Sequence, residues 1–381
     1  MTKTATPRHE TRPMPGAIRA VVVLALLYLF LVGIGFLEDG INGLGSDLQD
    51  TLFDRVSNPV AGLCVGILAT VLAQSSSVTT STIVGLVGAG VLGVDDAVPM
   101  IMGANIGTTI TNTLASLGHL RRPAEFRPAF AAATVHDFFN IIAVLVLLPV
   151  EVATGVLSNA AEWITDLLVG SGGATYESPI KGIVEAPVEV VEDALDGLVS
   201  GTALGVALIV LGLACIFLAL AAITKNMRVL IADRVERSLN ALLARGGGVA
   251  AMLLGMVITM AVQSSSITTS VMVPLSAAGV ITLRNAYPVT LGANVGTTIT
   301  AVLASLATGR PEALTVALAH TLFNLGGIML LYPVPFTREI PIRLAEALAE
   351  LAARRRTAVL GYIIVTFIVV PAIGVIVLGQ G

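Results

Sequence analysis

The sequence predicts an all-α polytopic membrane protein made of two inverted repeats, each with a re-entrant helical hairpin and a broken transmembrane helix, plus an extra C-terminal span. Three observations predict it. Of 381 residues, 55% are hydrophobic and 12% charged, with a mean hydropathy of +0.91, and soluble domains carry about twice that share of charge. Apolar runs long enough to cross the hydrocarbon recur along the chain. Residues 74 to 117 also match residues 263 to 306 at a constant offset of 189 without a gap, with 26 identities in 44 positions.

The polar, basic tail 1–16 precedes a first run, Ala17 to Leu37, that is longer than a signal-peptide core and lacks a small-residue cleavage site, so it is expected to stay as a span. Further full spans are expected at 129 to 149, 200 to 222, 312 to 334 and 358 to 378. The stretches 59 to 73 and 78 to 92 are each too short to cross alone and meet at Ser75-Ser76-Ser77. They read as a hairpin with a polar tip at membrane depth, and 248 to 262 with 267 to 281 repeat it around Ser264. Spans 97 to 117 and 287 to 307 carry Gly-Ala-Asn-x-Gly-Thr-Thr, where paired glycines predict local unwinding.

Basic residues orient these elements. Arg8, Arg12 and Arg19, then Arg121, Arg122 and Arg127, then Lys225, Arg228, Arg234, Arg237 and Arg245 mark cytoplasmic segments. The acidic 38 to 54 loop and the 150 to 199 segment, with Glu185, Glu189, Glu192, Asp193 and Asp196, are expected outside. The division is a cytoplasmic tail 1–16, a first repeat 17–149, an extracellular linker 150–199 with Gly170, Gly172, Gly173, Pro179 and Pro187, and an inverted second repeat 200–334. A cytoplasmic segment and final helix occupy 335–381, with the C-terminus outside the plasma (inner) membrane. The net charge of −4 argues against nucleic acid, and Cys64 and Cys215, both inside apolar stretches, argue against a disulfide framework or a thiolate metal site.

The doubled polar strings carry the chemistry. Ser75, Ser76 and Ser77 with Ser264, Ser265 and Ser266 supply hydroxyls, and the helix after each tip points free N–H groups at the same place, which suits an oxyanion bound without arginine. No Lys or Arg lies inside either motif, so a cation must travel with the anion. Sodium suits the amide oxygens of Gln74, Asn105, Gln263 and Asn294 and the hydroxyls of Thr108, Thr109, Thr297 and Thr298. The bland alternative is that these hydroxyls bond to neighbouring helix carbonyls. His136 with Asn140 and His320 with Asn324 stand one turn apart on their helices and line the same cavity, the asparagines joining the sodium set. Asp137, whose counterpart is the neutral Thr321, is an acidic side chain deep in a span and reads as a cation ligand.

With the doubled Gln-Ser-Ser-Ser, the Gly-x-Asn-x-Gly-Thr strings, Phe126-Arg127-Pro128-Ala129-Phe130, Thr134-Val135-His136-Asp137 and Val144 to Pro149, the chain resembles the type II sodium-dependent phosphate cotransporters. The resemblance implies inward sodium movement coupled to uptake of inorganic phosphate, with the twin serine hairpins forming the substrate site. An Asp after the His goes with electrogenic transport and an additional sodium ion. Sodium is then the coupling ion, no organic cofactor is expected, and the lipid bilayer is the surrounding partner, with oligomerisation left open. Unlike the animal members, 150 to 199 has neither Cys nor an Asn-x-Ser/Thr sequon, and a further C-terminal span and tail are not expected, so a compact bacterial form is expected.

Three other readings compete: a sodium-coupled carrier of sulfate or a carboxylate, an intramembrane serine hydrolase using Ser76 with His136, and a passive channel. The orientation is tested by cysteine labelling. A cysteine beside Glu185 should react with an impermeant thiol reagent from outside, and one beside Arg237 only after permeabilisation. Labelling of both from one side would overturn the inverted arrangement.

Overall fold

A computed structural model describes residues 16–44, 58–169, 180–196, 199, 201–243 and 247–379. Arg8, Arg12, Pro179, Arg245 and the glycines at 170, 172 and 173 lie outside the described residues, as do the side chains of Arg228, Arg234 and Arg237. The described chain is helical. The first half contains α1 (Gly16–Asn42), α2 (Pro59–Ala73), α3 (Ser76–Gly88), α4 (Val94–Thr108), α5 (Ile110–Ser116) and α6 (Pro123–Thr154). Next come α7 (Val156–Val169) and α8 (Lys181–Asp196). The second half contains α9 (Thr202–Leu243), α10 (Gly248–Val262), α11 (Ser265–Ser270), α12 (Met272–Ala277), α13 (Leu283–Ser305) and α14 (Pro311–Leu331). Then follow α15 (Pro335–Arg354), α16 (Arg356–Ile364), a π turn at Val365–Val369, and α17 (Val370–Leu378).

Among the described residues, five helical stretches are long and apolar enough to cross a membrane: Ala17–Asn42, Pro123–Thr154, Thr202–Met227, Pro311–Leu331 and Arg356–Leu378. They are the five expected from sequence. The shorter α2, α3 and α10 fall where hairpin arms were expected. Local chemistry sets their ends. Asn58 caps α2, its Oδ1 accepting from the Val60 and Ala61 amides at 2.9 and 3.2 Å, and Pro59 fills the first turn, where no amide donor is needed. The arms α2 and α10 both stop where Gln74 and Gln263 turn left-handed, at φ 52° and 57°, and among the described residues these are the two non-glycine positions with positive φ. Such a turn costs about 1–3 kcal/mol and persists where surrounding packing enforces it. The return arm is continuous in α3 but interrupted at Val271 between α11 and α12, because Pro274, where the first copy has Gly85, cannot donate to the Ser270 carbonyl.

Glycines decide the packing. The Gly-Ala-Asn-x-Gly-Thr-Thr strings do not unwind as expected: α13 runs unbroken through its copy, and the first is interrupted only at Thr109, which keeps right-handed helical angles. Their glycines instead let backbones touch. A Cβ on Gly103 would lie 2.0 Å from the Leu63 carbonyl oxygen and one on Gly66 1.9 Å from that of Met100, locking α2 against α4 in parallel. The second half repeats this, with Gly292 at 1.7 Å from the Met252 oxygen and Gly255 at 2.2 Å from the Val289 oxygen. Between halves, α1 and α9 pair antiparallel through Gly33 against Gly212 and Gly40 against Gly205.

Helices are described within the segment expected as a linker. Helix α6 continues to Thr154, and the Glu151 carboxylate accepts from the Leu157 and Ser158 amides and the Ser158 hydroxyl, capping α7. Thr165 of α7 accepts from Thr315 of α14 at 2.9 Å. Helix α8, the acidic run, buries Val184 and Val188 against α1 and leaves Glu185, Glu189 and Asp193 exposed, as its spacing of apolar residues dictates. The amphipathic α15 lies along α6 with Ile342, Ala345, Ala349 and Ala352 buried. Arg284 clamps it through Glu339 at 2.6 Å and Glu346 at 3.4 Å, and holds the Glu339 carboxyl below its ordinary value.

Replacing Gly103 or Gly292 by Ala should destabilise the protein by about 3 kcal/mol or more, because the clash is with backbone. Gly361→Ala in α16, where a Cβ meets nothing within 4 Å, should stabilise by about 0.5–1 kcal/mol. Thermal unfolding in detergent measures both.

Candidate functional site

The two hairpin tips have the same backbone. Ser75 and Ser264 both adopt φ −155° and ψ 108°, each after its left-handed glutamine. Each glutamine side chain straps its own turn, Gln74 Nε2 donating to the Val71 carbonyl and Gln263 Nε2 to that of Met260, both at 2.6 Å. Their amide oxygens accept from Thr111 at 3.5 Å and Thr300 at 2.9 Å, a pair that also stands 189 residues apart. The tips meet where the Ser77 hydroxyl donates to the Gln263 carbonyl at 3.4 Å.

The serine hydroxyls divide into used and unused. Ser75 Oγ accepts from the Val78 amide at 3.3 Å as the cap of α3, and Ser77 is committed across the tips. Ser76 and Ser265 are buried, with exposures of 4% and 3%, yet their hydroxyls have no partner among the described residues. Their carbonyls accept from Thr80 and Thr269, each at 2.8 Å. Those threonines therefore hold the first turn of each return arm. The structure thus joins the tips through Ser77 and leaves Ser76 in the first half, and Ser264, Ser265 and Ser266 in the second, without a hydroxyl partner among the described residues, while Ser75 only accepts.

The asparagines form a crossed relay between halves. His136 Nε2 donates to Asn294 Oδ1 at 2.5 Å and Asn294 Nδ2 to Asn140 Oδ1 at 2.7 Å, while Asn140 Nδ2 donates to the Asn105 carbonyl at 2.9 Å. On the other side His320 Nε2 donates to Asn105 Oδ1 at 3.2 Å and Asn105 Nδ2 to Asn324 Oδ1 at 3.3 Å. An amide oxygen as partner requires the proton on Nε2 of each ring, which leaves Nδ1 as an acceptor, and neither Nδ1 has a partner among the described residues. So the four asparagine oxygens expected to meet sodium are here engaged with one another and with the histidines, or, for Asn324, with Asn105. The threonines behave likewise: Thr108, Thr109, Thr297 and Thr298 donate to the carbonyls of Ala104, Ile106, Ala293 and Val295 at 2.8 to 3.0 Å. Their oxygens keep lone pairs for a cation, but no unwound carbonyl stands beside them.

Asp137 is completely buried. Its Oδ2 accepts from Tyr362 at 2.7 Å and Thr113 at 3.2 Å; its Oδ1 has no partner among the described residues. A buried carboxylate with one empty oxygen is costly unless a cation shares the site. Asn112, beside Thr113, donates to Thr269 at 2.7 Å across the halves and leaves its own buried oxygen unpartnered.

Sequence reasoning missed Thr111, Asn112, Thr113, Thr300 and Tyr362. The duplication itself pointed to Thr111 and Thr300, which follow the matched Thr-Thr pairs. Thr113 and Tyr362 have no counterpart signal, since Val302 occupies the equivalent of Thr113 and Tyr362 lies beyond both repeats. His136 is bonded to Asn294 rather than Ser76, so the hydrolase reading lacks its nucleophile–base pair.

Comparison with known proteins places this geometry. A family model described as Na+/Pi-cotransporter matches residues 29–167 and 215–335. The sodium-dependent phosphate transport protein 2A of Ovis aries is 35% identical, the match spanning 95% of this chain and 70% of the relative. The 2A protein of Rattus norvegicus is 35% identical over 93% of the chain and 67% of the relative, and the 2B protein of Homo sapiens 33% over 93% and 64%. No solved structure matches. A matched family model over most of the chain, with relatives above 30% identity across nearly all of it, means that the chain belongs to the Na+/Pi-cotransporter family.

Proposed function

We propose that this protein is a secondary active symporter, not an enzyme, that couples inward sodium movement to uptake of inorganic phosphate by alternating access across the plasma (inner) membrane, and that transport is electrogenic. The observation that carries this is the pairing of two symmetry-related serine tips, each with a largely buried serine, Ser76 or Ser265, whose hydroxyl is free to donate, with a buried carboxylate that has one open oxygen. Hydroxyl and amide donors hold the oxyanion, and sodium supplies the positive charge that the site lacks. The names of its relatives support phosphate as the anion and sodium as the cation.

The finer architecture follows from the same reading. The two halves are inverted repeats, supported by the antiparallel pairing of their leading helices α1 and α9 and by the crossed His136–Asn294 and His320–Asn105 bonds. The hairpins are re-entrant, supported by arms too short to cross alone, α2, α3 and α10, and by the chain reversal at Gln74 and Gln263. Phosphate is held by Ser75, Ser76, Ser77, Ser264, Ser265 and Ser266. Sodium is held at Asp137, with the glutamine, threonine and asparagine oxygens around the tips as further ligands once the relay opens. The N-terminus is cytoplasmic and the C-terminus outside.

Uptake of labelled phosphate into proteoliposomes under an imposed sodium gradient tests the reading. Accumulation without sodium, or displacement by sulfate rather than arsenate, would overturn it. Ser76→Ala and Ser265→Ala should each weaken phosphate affinity by about 1–3 kcal/mol while leaving the fold intact, with similar losses from both. Unaltered uptake in either variant would remove that hydroxyl from the site.

Asp137→Gly should convert electrogenic to electroneutral transport and lower the sodium-to-phosphate ratio by one ion, because one sodium loses its charged ligand. Current and labelled uptake measured together decide it, and an unchanged charge per phosphate in an active variant would exclude Asp137 from the sodium site.

A further inference from the structure

The last helix reaches the cation site. Tyr362 of α16 lies outside the segments matched by the family model and outside both sequence repeats, yet its hydroxyl donates to Asp137 Oδ2 across 225 residues of chain. Its ring is held on two sides, 6.3 Å from Phe138 and edge-on to Phe367 at 6.1 Å. Phe367 sits in the π turn, where the Val370 amide bonds back five residues to the Val365 carbonyl. That widened turn has a local cause. Pro371 has no amide to offer the Phe367 carbonyl and its ring would crowd that oxygen in a regular helix. Proline, π turn, Phe367 and the Tyr362 ring thus form one continuous support for a single hydroxyl.

We propose that Tyr362 is a positioning residue for the cation site: by anchoring Oδ2 it stops the carboxylate from rotating and keeps Oδ1 presented to sodium, which makes the final helix part of the coupling machinery. The proposal rests on the reading of Asp137 as a sodium ligand. Two hydroxyls on one oxygen and none on the other is the asymmetry that a carboxylate poised for one cation requires. A tyrosine serving only to fasten the last helix would need the ring contacts but not this hydroxyl.

The test is sodium dependence of phosphate uptake in proteoliposomes of the full chain. Tyr362→Phe keeps the ring, so the sodium concentration for half-maximal uptake should rise roughly tenfold, while half-saturation by phosphate at saturating sodium stays unchanged. Half-saturation does not depend on how much protein inserts, so a poorly inserting variant still reports. Thr113→Val, which removes the other hydroxyl from the same oxygen, should shift sodium dependence in the same direction and carries the test if Tyr362→Phe yields no protein. In an Asp137→Gly background, Tyr362→Phe should add no further shift. Unchanged sodium half-saturation in Tyr362→Phe, with only the maximal rate lowered, would overturn the proposal. An Asp137→Gly variant with unaltered sodium dependence would instead overturn the reading on which it rests.

Discussion

Backbone contact between a short apolar arm and a polar-string helix is the constraint from which the rest of the site follows. Where Gly66 faces Met100 and Gly103 faces Leu63, no side chain stands between the helices, and the same holds for Gly255 with Val289 and Gly292 with Met252. Close-packed interiors transmit position rather than absorb it. The arm therefore delivers its glutamine tip at a fixed height against the string, so Gln74 meets Thr111 and Gln263 meets Thr300. A left-handed glutamine is tolerated at each tip because packing on both sides over-determines it.

Held in this way, the halves are joined by the α1–α9 glycine contact, the Asn112–Thr269 bond at 2.7 Å, the histidine and asparagine relay and the tips, and the last two differ in strength. The histidine and asparagine relay is buried and largely satisfied, with bonds of 2.5 to 3.3 Å, and opening it strands several polar groups. The tips touch through one 3.4 Å bond from Ser77 to Gln263. A carrier must move something past something else, and the cheaper break lies at the tips, beside the uncommitted serines. Binding an anion there would replace that weak bond with several stronger ones.

Charge is handled sparingly. Ion pairs lie at the periphery, as with Arg284 on α15, where solvent lowers their cost. Inside, Asp137 is answered by hydroxyls alone among the described residues. That imbalance leaves room for a mobile cation, which a resident arginine satisfying the carboxylate permanently would not.

The sequence by itself determined the spans, the hairpin arms and the doubled tips, because hydrophobic length, a preserved 189-residue offset and a run of hydroxyls at membrane depth are local signals. It also singled out Ser76, Ser265 and Asp137, whose polarity is anomalous wherever they end up in space. Only tertiary structure decided what the glycines do, since a Gly-x-x-x-Gly spacing serves equally for unwinding and for close approach, and the neighbouring backbone settles it. The same holds for the asparagines: each looks like a free ligand until the partner of its side-chain oxygen, more than 150 residues away in the chain, is brought within 3.3 Å. Tyr362 is the clearest case, an unremarkable aromatic in an apolar span whose hydroxyl acquires meaning only when the last helix is packed against Asp137.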